Sequence, residues 1–475
     1  MKKRYYFIGA GGIGMANLVR YFLSQGYEVA GYDRVRSDLC KRLEKEGAKM
    51  IYEDNESLIP EEFRQKDSTE VVFTPAIPSD NKIITYFREN NFEMHKRAWV
   101  LGEITRSLKG ICVAGSHGKT TTSSMIAWIM AQTPGGCDAF LGGILRNVDS
   151  NLIIKPGCEY AVVEADEYDR SFHQLSPWIA VITSADPDHL DIYGDEAHYL
   201  EAFSIFTSLI RQGGSLLLHT GLKVQPELKE GVTLMRYCGV IPEEELNNFS
   251  NEDKPDWRAE NPVYLEGELL FDLIGPDGFR IEKISLGVPV EINVDNAVAA
   301  AAAARLAGAT PEEIRRGLET FKGAKRRFEI LLRGSRDGAR AVLIDDYAHS
   351  PAEIKASIES IRKLYPGKKL TVVFQPHLYT RTRDFAPEFA KALSLSDETI
   401  LTEIYPAREL PIPGVTSEII LRDMTSPAVL IERKDLLNKI KFTNFDILIT
   451  LGAADLDTLL PEIVEILKRD VETDA

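Results

Sequence analysis

The segment GSHGKTTTSS combines the residue types of a phosphate-binding loop. Gly115 and Gly118 let the chain turn tightly, so that main-chain N–H groups and the N-terminus of the following helix face phosphate oxygens. Lys119 can neutralise the β- and γ-phosphates of ATP, and the Thr120 hydroxyl can ligate Mg²⁺. Val113 stands where the common P-loop has its first glycine, which indicates a specialised subgroup. The alternative is a glycine-rich strand-to-helix turn with an incidental lysine.

Acidic side chains and a histidine follow two hydrophobic runs farther along the chain. They are Glu164, Asp166, Glu167 and Asp169 in VVEADEYDRSF, and Asp186, Asp188, His189 and Asp191 in VITSADPDHLDIYG. Open α/β sheets collect their ligands at the carboxyl ends of strands, and oxygen ligands suit Mg²⁺. Taken singly, each residue is more often solvated or a cap. Together, and behind a P-loop, they predict Glu164 and His189 as metal ligands.

A second glycine-rich turn lies near the N-terminus, in YYFIGAGGIGMANL. Gly9, Gly11 and Gly14 spell G-x-G-x-x-G, with Gly12 between them, ahead of a helical pattern. Asp33 ends the next strand-like run, at the position where a ribose-binding acid is expected. The turn predicts a bound diphosphate, in NAD or in another nucleotide. A purely structural turn is the alternative.

The elements that must position these residues alternate between strands and helices. Short β-branched or aromatic runs such as RYYFIGA, GICVAGS and EYAVVEAD are separated by segments of helical period, which is typical of parallel α/β sheets. Three such sets predict three domains, at residues 1–107, 108–324 and 325–475. A β-rich excursion is expected between about 221 and 286. The Ala-rich helix at 299–304 indicates close packing rather than chemistry.

Composition excludes several classes of protein. The chain has 475 residues, a formal charge of −16, a pI near 5.2 and no basic block, so nucleic-acid binding is not expected. The five cysteines lack C-x-x-C spacing, which argues against disulfides and a zinc site. No run of 18 apolar residues and no signal-peptide pattern occurs, which predicts no membrane association and a cytoplasmic location.

Eight motifs, taken in order, resemble those of the Mur ligases. They are GSHGKTTT, EADEYDRSF, DPDHLDIYG, NVDNAVAA, AKRRFE, DDYAHSP, FQPHLYTRTRDF and YPARELPIPG. The resemblance covers nearly the whole chain. It implies an N-terminal Rossmann-like domain for a UDP sugar, a central P-loop ATPase-like α/β domain and a C-terminal Rossmann-like domain. UDP also carries a diphosphate and a ribose, so the turn at residues 9–14, with Asp33, can serve UDP-N-acetylmuramate as well as NAD.

The resemblance also implies an activity and a set of roles. The muramoyl carboxylate would attack ATP to give an acyl phosphate, which L-alanine then attacks, with two Mg²⁺ ions expected at Thr120, Glu164 and His189. The expected ATP-binding residues are Gly115, Ser116, His117, Gly118, Lys119, Thr120, Thr121, Asn293, Asn296, Arg327 and Asp346. His349 and Arg381 match positions near the amino acid, with a packed histidine and a solvated arginine as the alternatives. Lys119, Glu164, His189, His349 and Arg381 form the expected catalytic set.

Three departures from the family pattern affect these expectations. Ile292, Ser350 and Leu378 replace a His, a His and an Arg, and the last change bears on amino-acid specificity. Relatives that add later residues use a carbamylated Lys, and no Lys occurs between Lys155 and Lys223, which fits the alanine-adding branch. The alternatives are a relative that attaches a recycled tripeptide, an NAD-dependent oxidoreductase, and a nucleotide-dependent binding module. A monomer and a homodimer both remain open.

Overall fold

A computed structural model of the protein describes residues 3–78, 80–187, 190–250, 252–265, 267–407 and 409–468, without the side chains of residues 190 and 191. The chain forms two compact units. The first comprises residues 1–261, 272–284 and 294–321, and the second residues 262–271, 285–293 and 322–475. The α/β fold class is confirmed, because three sheets dominated by parallel strands alternate with helices.

The first sheet has five parallel strands in the order β3-β2-β1-β4-β5. They are β1 (Arg4–Ile8), β2 (Glu28–Tyr32), β3 (Lys49–Ile51), β4 (Thr69–Phe73) and β5 (Glu93–Lys96). The helices are α1 (Ile13–Ser24), α2 (Asp38–Glu46), α3 (Lys82–Glu89) and α4 (Arg97–Ser107). The last four residues of β1 are all buried, because both faces of the sheet are covered. The carboxyl ends of the five strands therefore meet at one edge, where the first glycine turn lies.

The second sheet has ten strands in the order β15-β14-β13-β12-β11-β10-β6-β9-β7-β8. They are β6 (Lys109–Ala114), β7 (Asp138–Leu145), β8 (Ser150–Ile153), β9 (Tyr160–Glu164), β10 (Ile179–Ile182), β11 (Ser215–His219), β12 (Thr233–Val240), β13 (Trp257–Leu265), β14 (Glu268–Ile274) and β15 (Arg280–Ser285). Its helices are α5 (Lys119–Met130), α6 (Leu190–Tyr193), α7 (Glu196–Ser208), α8 (Ile292–Leu306) and α9 (Pro311–Thr320). Strand β6 pairs in parallel with β9 on one side and β10 on the other. This pairing brings the P-loop beside the ends of both neighbouring strands.

The third sheet has six strands in the order β16-β17-β21-β18-β19-β20, with β16 antiparallel to β17. The strands are β16 (Glu329–Arg333), β17 (Val342–Asp346), β18 (Leu370–Phe374), β19 (Glu398–Leu401), β20 (Ala428–Leu430) and β21 (Ile447–Leu451). The helices are α10 (Pro351–Leu364), α11 (Tyr379–Leu393), α12 (Glu418–Leu421), α13 (Leu436–Phe442) and α14 (Leu460–Lys468). Strand β18 is buried along its whole length, as expected of a central parallel strand.

Two further sequence predictions agree with the structure. Strands β12 to β15 supply the expected β-rich excursion. The six alanines at 299–304 are fully buried in α8, which confirms their packing role. All five cysteines are buried and unpaired. No helix in the described ranges is long and apolar enough to cross a bilayer.

Candidate active site

The P-loop connects β6 to α5 through Gly115 and Gly118, which no residue with a side chain could replace. Gly115 has φ +143°, and a Cβ there would lie 2.2 Å from Thr183 Oγ1. Gly118 has φ +83°, and a Cβ there would lie 2.8 Å from Asn296 Oδ1. Positive φ and close neighbours both require glycine at these two positions. Helix α5 has no side-chain cap and no acidic residue in its first turn, so its N-terminal N–H groups can bind an anion.

Lys119 is held by the loop and by a buried acid. Its Nζ donates to the Gly115 carbonyl and lies 2.7 Å from Glu167 Oε2. The Glu167 side chain is only 2% exposed, so the ion pair is shielded from water. Incoming phosphate oxygens must therefore compete with Glu167 for the ammonium group. The sequence placed Glu167 in an acidic cluster but gave it no function, since its contact with Lys119 depends on the pairing of β6 with β9.

Thr120 and Glu164, two of the expected metal ligands, lie together. Thr120 Oγ1 donates to Glu164 Oε2 at 2.8 Å. Burial raises the pKa of Glu164, and the Thr120 hydroxyl and the Lys119 charge oppose that rise. A hydroxyl and a carboxylate oxygen fit Mg²⁺. The third expected ligand, His189, lies outside the described residues. Within the described ranges, no group of three or more His, Cys, Asp or Glu side chains gathers as a metal site.

Residues that follow β10 hydrogen-bond to the P-loop from the side of β6 opposite β9. Ser184 Oγ lies 2.9 Å from Ser116 Oγ and accepts from the His117 N–H at 2.7 Å. The Asp186 N–H donates to Ser116 Oγ at 3.0 Å. The predicted loop residues Ser116 and His117 are thus fixed by hydroxyl contacts, and Thr121 lies in the first turn of α5. The sequence reasoning missed Ser184, although its position directly after β10 was a usable signal.

The two asparagines expected to face adenine are both buried near the start of α8. Asn296 Oδ1 accepts from Thr122 Oγ1 at 3.0 Å and lies against Gly118, so Asn296 supports the P-loop. Asn293 Nδ2 donates to the Val288 carbonyl at 3.3 Å. Each asparagine therefore makes a contact within the protein.

The N-terminal turn is stabilised by Asp33. Its Oδ2 accepts from the Gly11 N–H at 2.8 Å, and its Oδ1 accepts from the Val35 N–H at 3.0 Å. A Cβ on Gly11 would lie 2.5 Å from Cys40 Sγ, so no larger residue fits there. Asp33 was expected to bind ribose. In this structure its carboxylate holds the glycine turn, which orients the remaining N–H groups.

A cavity of about 840 Å³ opens over this turn. Its wall includes Gly9, Gly12 and Gly14 of the turn, Asp33, and Glu164 and Asp166 from the end of β9. One continuous space therefore reaches from the first glycine turn to the carboxylate beside the P-loop. All of these residues belong to the first unit.

Arg97 is part of this cavity wall. It is the first residue of α4, and a Cβ on Gly14 would lie 2.3 Å from its Nη1. Helix α1 begins beneath it without a side-chain cap or an acidic residue in its first turn. A guanidinium beside the positive end of a helix is favourable only when an anion joins them. The sequence reasoning missed Arg97, although its place after β5 puts it at the ligand-binding edge of the sheet.

In the second unit, Asp346 lies near the positive charge of Arg327. Asp346 accepts from the Ser357 hydroxyl and from the Phe328 N–H, and burial raises its pKa. The Arg327 guanidinium lies 5.4 Å from the centre of the Tyr347 ring. Asp346 thus fixes the segment that carries Arg327.

Polar groups with no partner occur near the start of α11. Among the described residues, neither Arg381 Nη1 nor Gln375 Oε1 has a hydrogen-bond partner, and both atoms are buried. Gln375 follows β18 and is 2% exposed. His349, by contrast, is engaged, because its Nδ1 lies 2.9 Å from the Tyr347 carbonyl and its N–H donates to Glu353. A buried unpaired donor and acceptor are costly unless a ligand satisfies them.

Comparison with known proteins identifies the family. The "Mur ligase family, catalytic domain" matches residues 4–109, the "Mur ligase middle domain" residues 113–304 and the "Mur ligase, glutamate ligase domain" residues 326–453. A UDP-N-acetylmuramate--L-alanine ligase of Parabacteroides distasonis is 51% identical, over 98% of this chain and 97% of its own. The chain belongs to the Mur ligase family. A protein of the same name from Porphyromonas gingivalis is 47% identical over 98% of this chain and 99% of its own.

Solved structures agree with the family assignment. The UDP-N-acetylmuramate-alanine ligase of Thermotoga maritima superposes with a TM-score of 0.77 at 25% identity, over 97% of this chain and 98% of that one. A murein peptide ligase of Psychrobacter arcticus gives a TM-score of 0.63 at 20% identity, over 99% of both chains, and shows the shared fold. The Mur ligase fold of this chain is thus supported by sequence and by structure.

The departures from the Mur ligase pattern have visible consequences. Ser350 is the N-cap of α10 and forms a capping box with Glu353, so the substituted residue stabilises that helix. Ile292 is 61% exposed at the start of α8. Leu378 caps α11 with φ +73°, a backbone conformation that costs a non-glycine residue energy. The motif around Leu378 retains Arg381 and Arg383 as its arginines, and Arg383 pairs with Asp384.

Proposed function

We propose that the chain joins L-alanine to the carboxylate of UDP-N-acetylmuramate in an ATP-dependent reaction, as a step of peptidoglycan precursor synthesis in the cytoplasm. Relatives 40–51% identical to it carry the name of that ligase. The observation that carries the proposal is the continuous cavity from the N-terminal glycine turn to Glu164. A nucleotide-linked acid bound on the turn can reach the phosphate site without leaving the first unit.

The first substrate binds by its diphosphate. The N-terminus of α1 and the Arg97 guanidinium supply N–H donors and positive charge at one point, and Gly9, Gly11, Gly12 and Gly14 let the main chain approach closely. Asp33 keeps the turn in shape. The lactyl carboxylate then extends along the cavity toward Glu164.

Charge neutralisation is the main chemical task at the P-loop. A carboxylate oxygen must attack the γ-phosphorus of ATP, and two unit negative charges about 4 Å apart repel by about 4 kcal/mol at an effective dielectric of 20. Lys119 offsets that repulsion once its ammonium turns from Glu167 to the phosphate. Mg²⁺ held by Thr120 and Glu164, with a second ion at His189, would supply further positive charge. The products of this step are ADP and an acyl phosphate.

The ammonium group of the amino acid first loses a proton to solvent; the neutral amine then attacks the acyl carbon, the C–O bond to phosphate breaks, and inorganic phosphate leaves with the second proton of the nitrogen. Arg381 Nη1 suits the carboxylate of L-alanine, and Gln375 Oε1 suits its ammonium group, because each is buried and without a partner among the described residues. His349, which matches a position near the amino acid, lies in the same unit, where its main-chain N–H donates to Glu353 Oε2. Asn293, Asn296, Arg327 and Asp346 complete the nucleotide-binding set. We also propose three domains, at residues 1–107, 108–324 and 325–475. The three segments matched by the family support these boundaries.

Phosphate release coupled to product mass tests the proposal. The purified chain receives ATP, Mg²⁺ and UDP-N-acetylmuramate, with L-alanine, glycine, L-serine or the tripeptide added separately. We expect phosphate release with L-alanine and a product heavier by one alanyl residue. An adduct with the tripeptide alone would instead assign the chain to peptide recycling. Hydrolysis of ATP without any adduct would refute the ligase function.

A further inference from the structure

Asn17 lies in the cavity wall between the two phosphate-binding turns. It belongs to α1, is 3% exposed and stands three residues after Gly14, on the same face of the helix. Its neighbour across the wall is Leu141 of β7, which precedes Gly142. A Cβ on Gly142 would lie 2.2 Å from Glu164 Oε2, so Leu141 stands close to the phosphate end of the cavity.

The side-chain amide of Asn17 has a fixed orientation. Its Nδ2 donates to the Leu141 carbonyl at 3.0 Å, and a carbonyl can only accept, so the nitrogen must face Leu141. The oxygen then faces the other way. In the described part of the chain, Asn17 Oδ1 has no hydrogen-bond partner, and it is shielded from water. An unmet buried acceptor is costly, and a ligand donor can satisfy it after a small adjustment of the wall.

The order of groups along the cavity indicates which part of a ligand passes Asn17. In the proposed function, the diphosphate binds at the glycine turn and the reacting carboxylate lies near Glu164, which leaves the space between them for the hexose ring. A hexosamine ring offers an acetamido N–H and hydroxyl groups as donors. We propose that Asn17 Oδ1 accepts a hydrogen bond from the sugar ring, so that Asn17 helps to select a nucleotide-linked sugar. The identity of that sugar rests on the proposed function.

Binding of UDP, UDP-glucose and UDP-N-acetylglucosamine to the full chain tests this proposal by calorimetry. None of the three carries the lactyl carboxylate, so no turnover is needed. In wild type, we expect the sugar to improve affinity over UDP, and equal affinities for UDP and both sugars would contradict the proposal. We expect Asn17→Ala to remove about tenfold of that gain and to leave UDP affinity unchanged. A loss of affinity for UDP-N-acetylglucosamine alone would identify the acetamido N–H as the donor. A loss of affinity for both sugar nucleotides would identify a hydroxyl group.

Asn151→Ala is the matched control. Asn151 Nδ2 donates to the Ile13 carbonyl at 2.7 Å, so this variant also removes an amide contact between α1 and the β7–β8 hairpin. Its ratio of sugar to UDP affinity should equal that of wild type. Asn17→Ser retains a donor for Leu141 and should show the same loss as Asn17→Ala, which covers the case in which the alanine variant folds poorly.

Two further results would overturn the proposal. An unchanged ratio in both Asn17 variants would show that Oδ1 does not contact the sugar. An equal loss of affinity for UDP and for both sugars would show a structural role. If the ratio is unchanged while L-alanyl product still forms, only the inference on Asn17 fails. If the ratio falls while no product forms with any amino acid, only the ligase function fails.

Discussion

Replacement of Arg97 by alanine is the sharpest test of the first substrate site. The guanidinium contacts Gly14 at the uncapped start of α1, and its closest acidic partner is Asp166, with Nη2 3.4 Å from Oδ2. The two side chains are 25% and 40% exposed, so this ion pair contributes at most about 1 kcal/mol to stability. A charge-assisted hydrogen bond to a phosphate contributes about 1.5–3 kcal/mol to binding. The loss in affinity for the UDP sugar should thus be about 10- to 150-fold.

Steady-state kinetics and thermal unfolding measure both consequences of Arg97→Ala. We expect the KM for UDP-N-acetylmuramate to rise by that factor while the KM for ATP stays within about twofold and the melting temperature changes by no more than about 2 °C. Arg20→Ala is the matched control. Arg20 is also an arginine that contacts α1 or lies on it, but its guanidinium pairs with Glu46 and Ser150, which are outside the cavity wall. Equal rises in both KM values, or unfolding of the Arg97 variant, would refute the assignment.

Three further predictions concern the phosphate loops and pH. Lys119→Ala should lower kcat by about 10²- to 10³-fold with the fold intact by circular dichroism, and near-normal turnover would contradict its role. Gly11→Val should weaken UDP-sugar binding, because the new side chain displaces Cys40 and Asp33, with ATP affinity kept; calorimetry with each nucleotide would reveal an exchange of the two loops. Burial raises the pKa of Asp345 to about 6 from 3.8, so the folded state binds its proton more tightly than the unfolded state and the free energy of unfolding falls as pH rises from about 4 to 6. Asp345→Asn should abolish about 2 kcal/mol of that fall between urea titrations at pH 4.5 and 7, and an identical pH dependence in both proteins would contradict it.

Strands could be predicted from the sequence where burial on both faces requires apolar residues. A parallel strand covered on both faces needs an unbroken apolar run, and RYYFI, KGICVA and YAVVE each became such a strand. The contact between Thr120 and Glu164 was also predictable, because β6 and β9 had to end at the same edge. The ribose function expected for Asp33 stays a prediction; its hydrogen bonds to the Gly11 and Val35 N–H groups were not predictable, since its spacing locates the end of β2 but not the direction of the carboxylate.

Residues that depend on packing between elements escaped sequence reasoning. Arg97 opens an amphipathic helix and Asn17 lies within another, so neither belongs to a phosphate-binding motif. Their places in the cavity wall follow from how α1 meets α4 and the β7 strand. Glu167 was visible in an acidic cluster, but its burial against Lys119 depends on neighbouring strands. Local sequence patterns thus identified both glycine-rich turns, but they missed Arg97 and Asn17 in the cavity wall.

The two anion sites differ in how their positive charge is balanced before a ligand arrives. Lys119 pairs with Glu167, whose carboxylate is nearly inaccessible to water, so a phosphate there exchanges one close partner for another. Arg97 lies 3.4 Å from the partly exposed Asp166, a longer contact than that of Lys119 with Glu167, and it lies beside the positive end of α1. Binding of a diphosphate at Arg97 therefore adds an attraction that the free protein lacks. Under the proposed function, ATP can bind at the P-loop only once Lys119 leaves Glu167, whereas the UDP sugar would meet no ion pair that close at Arg97.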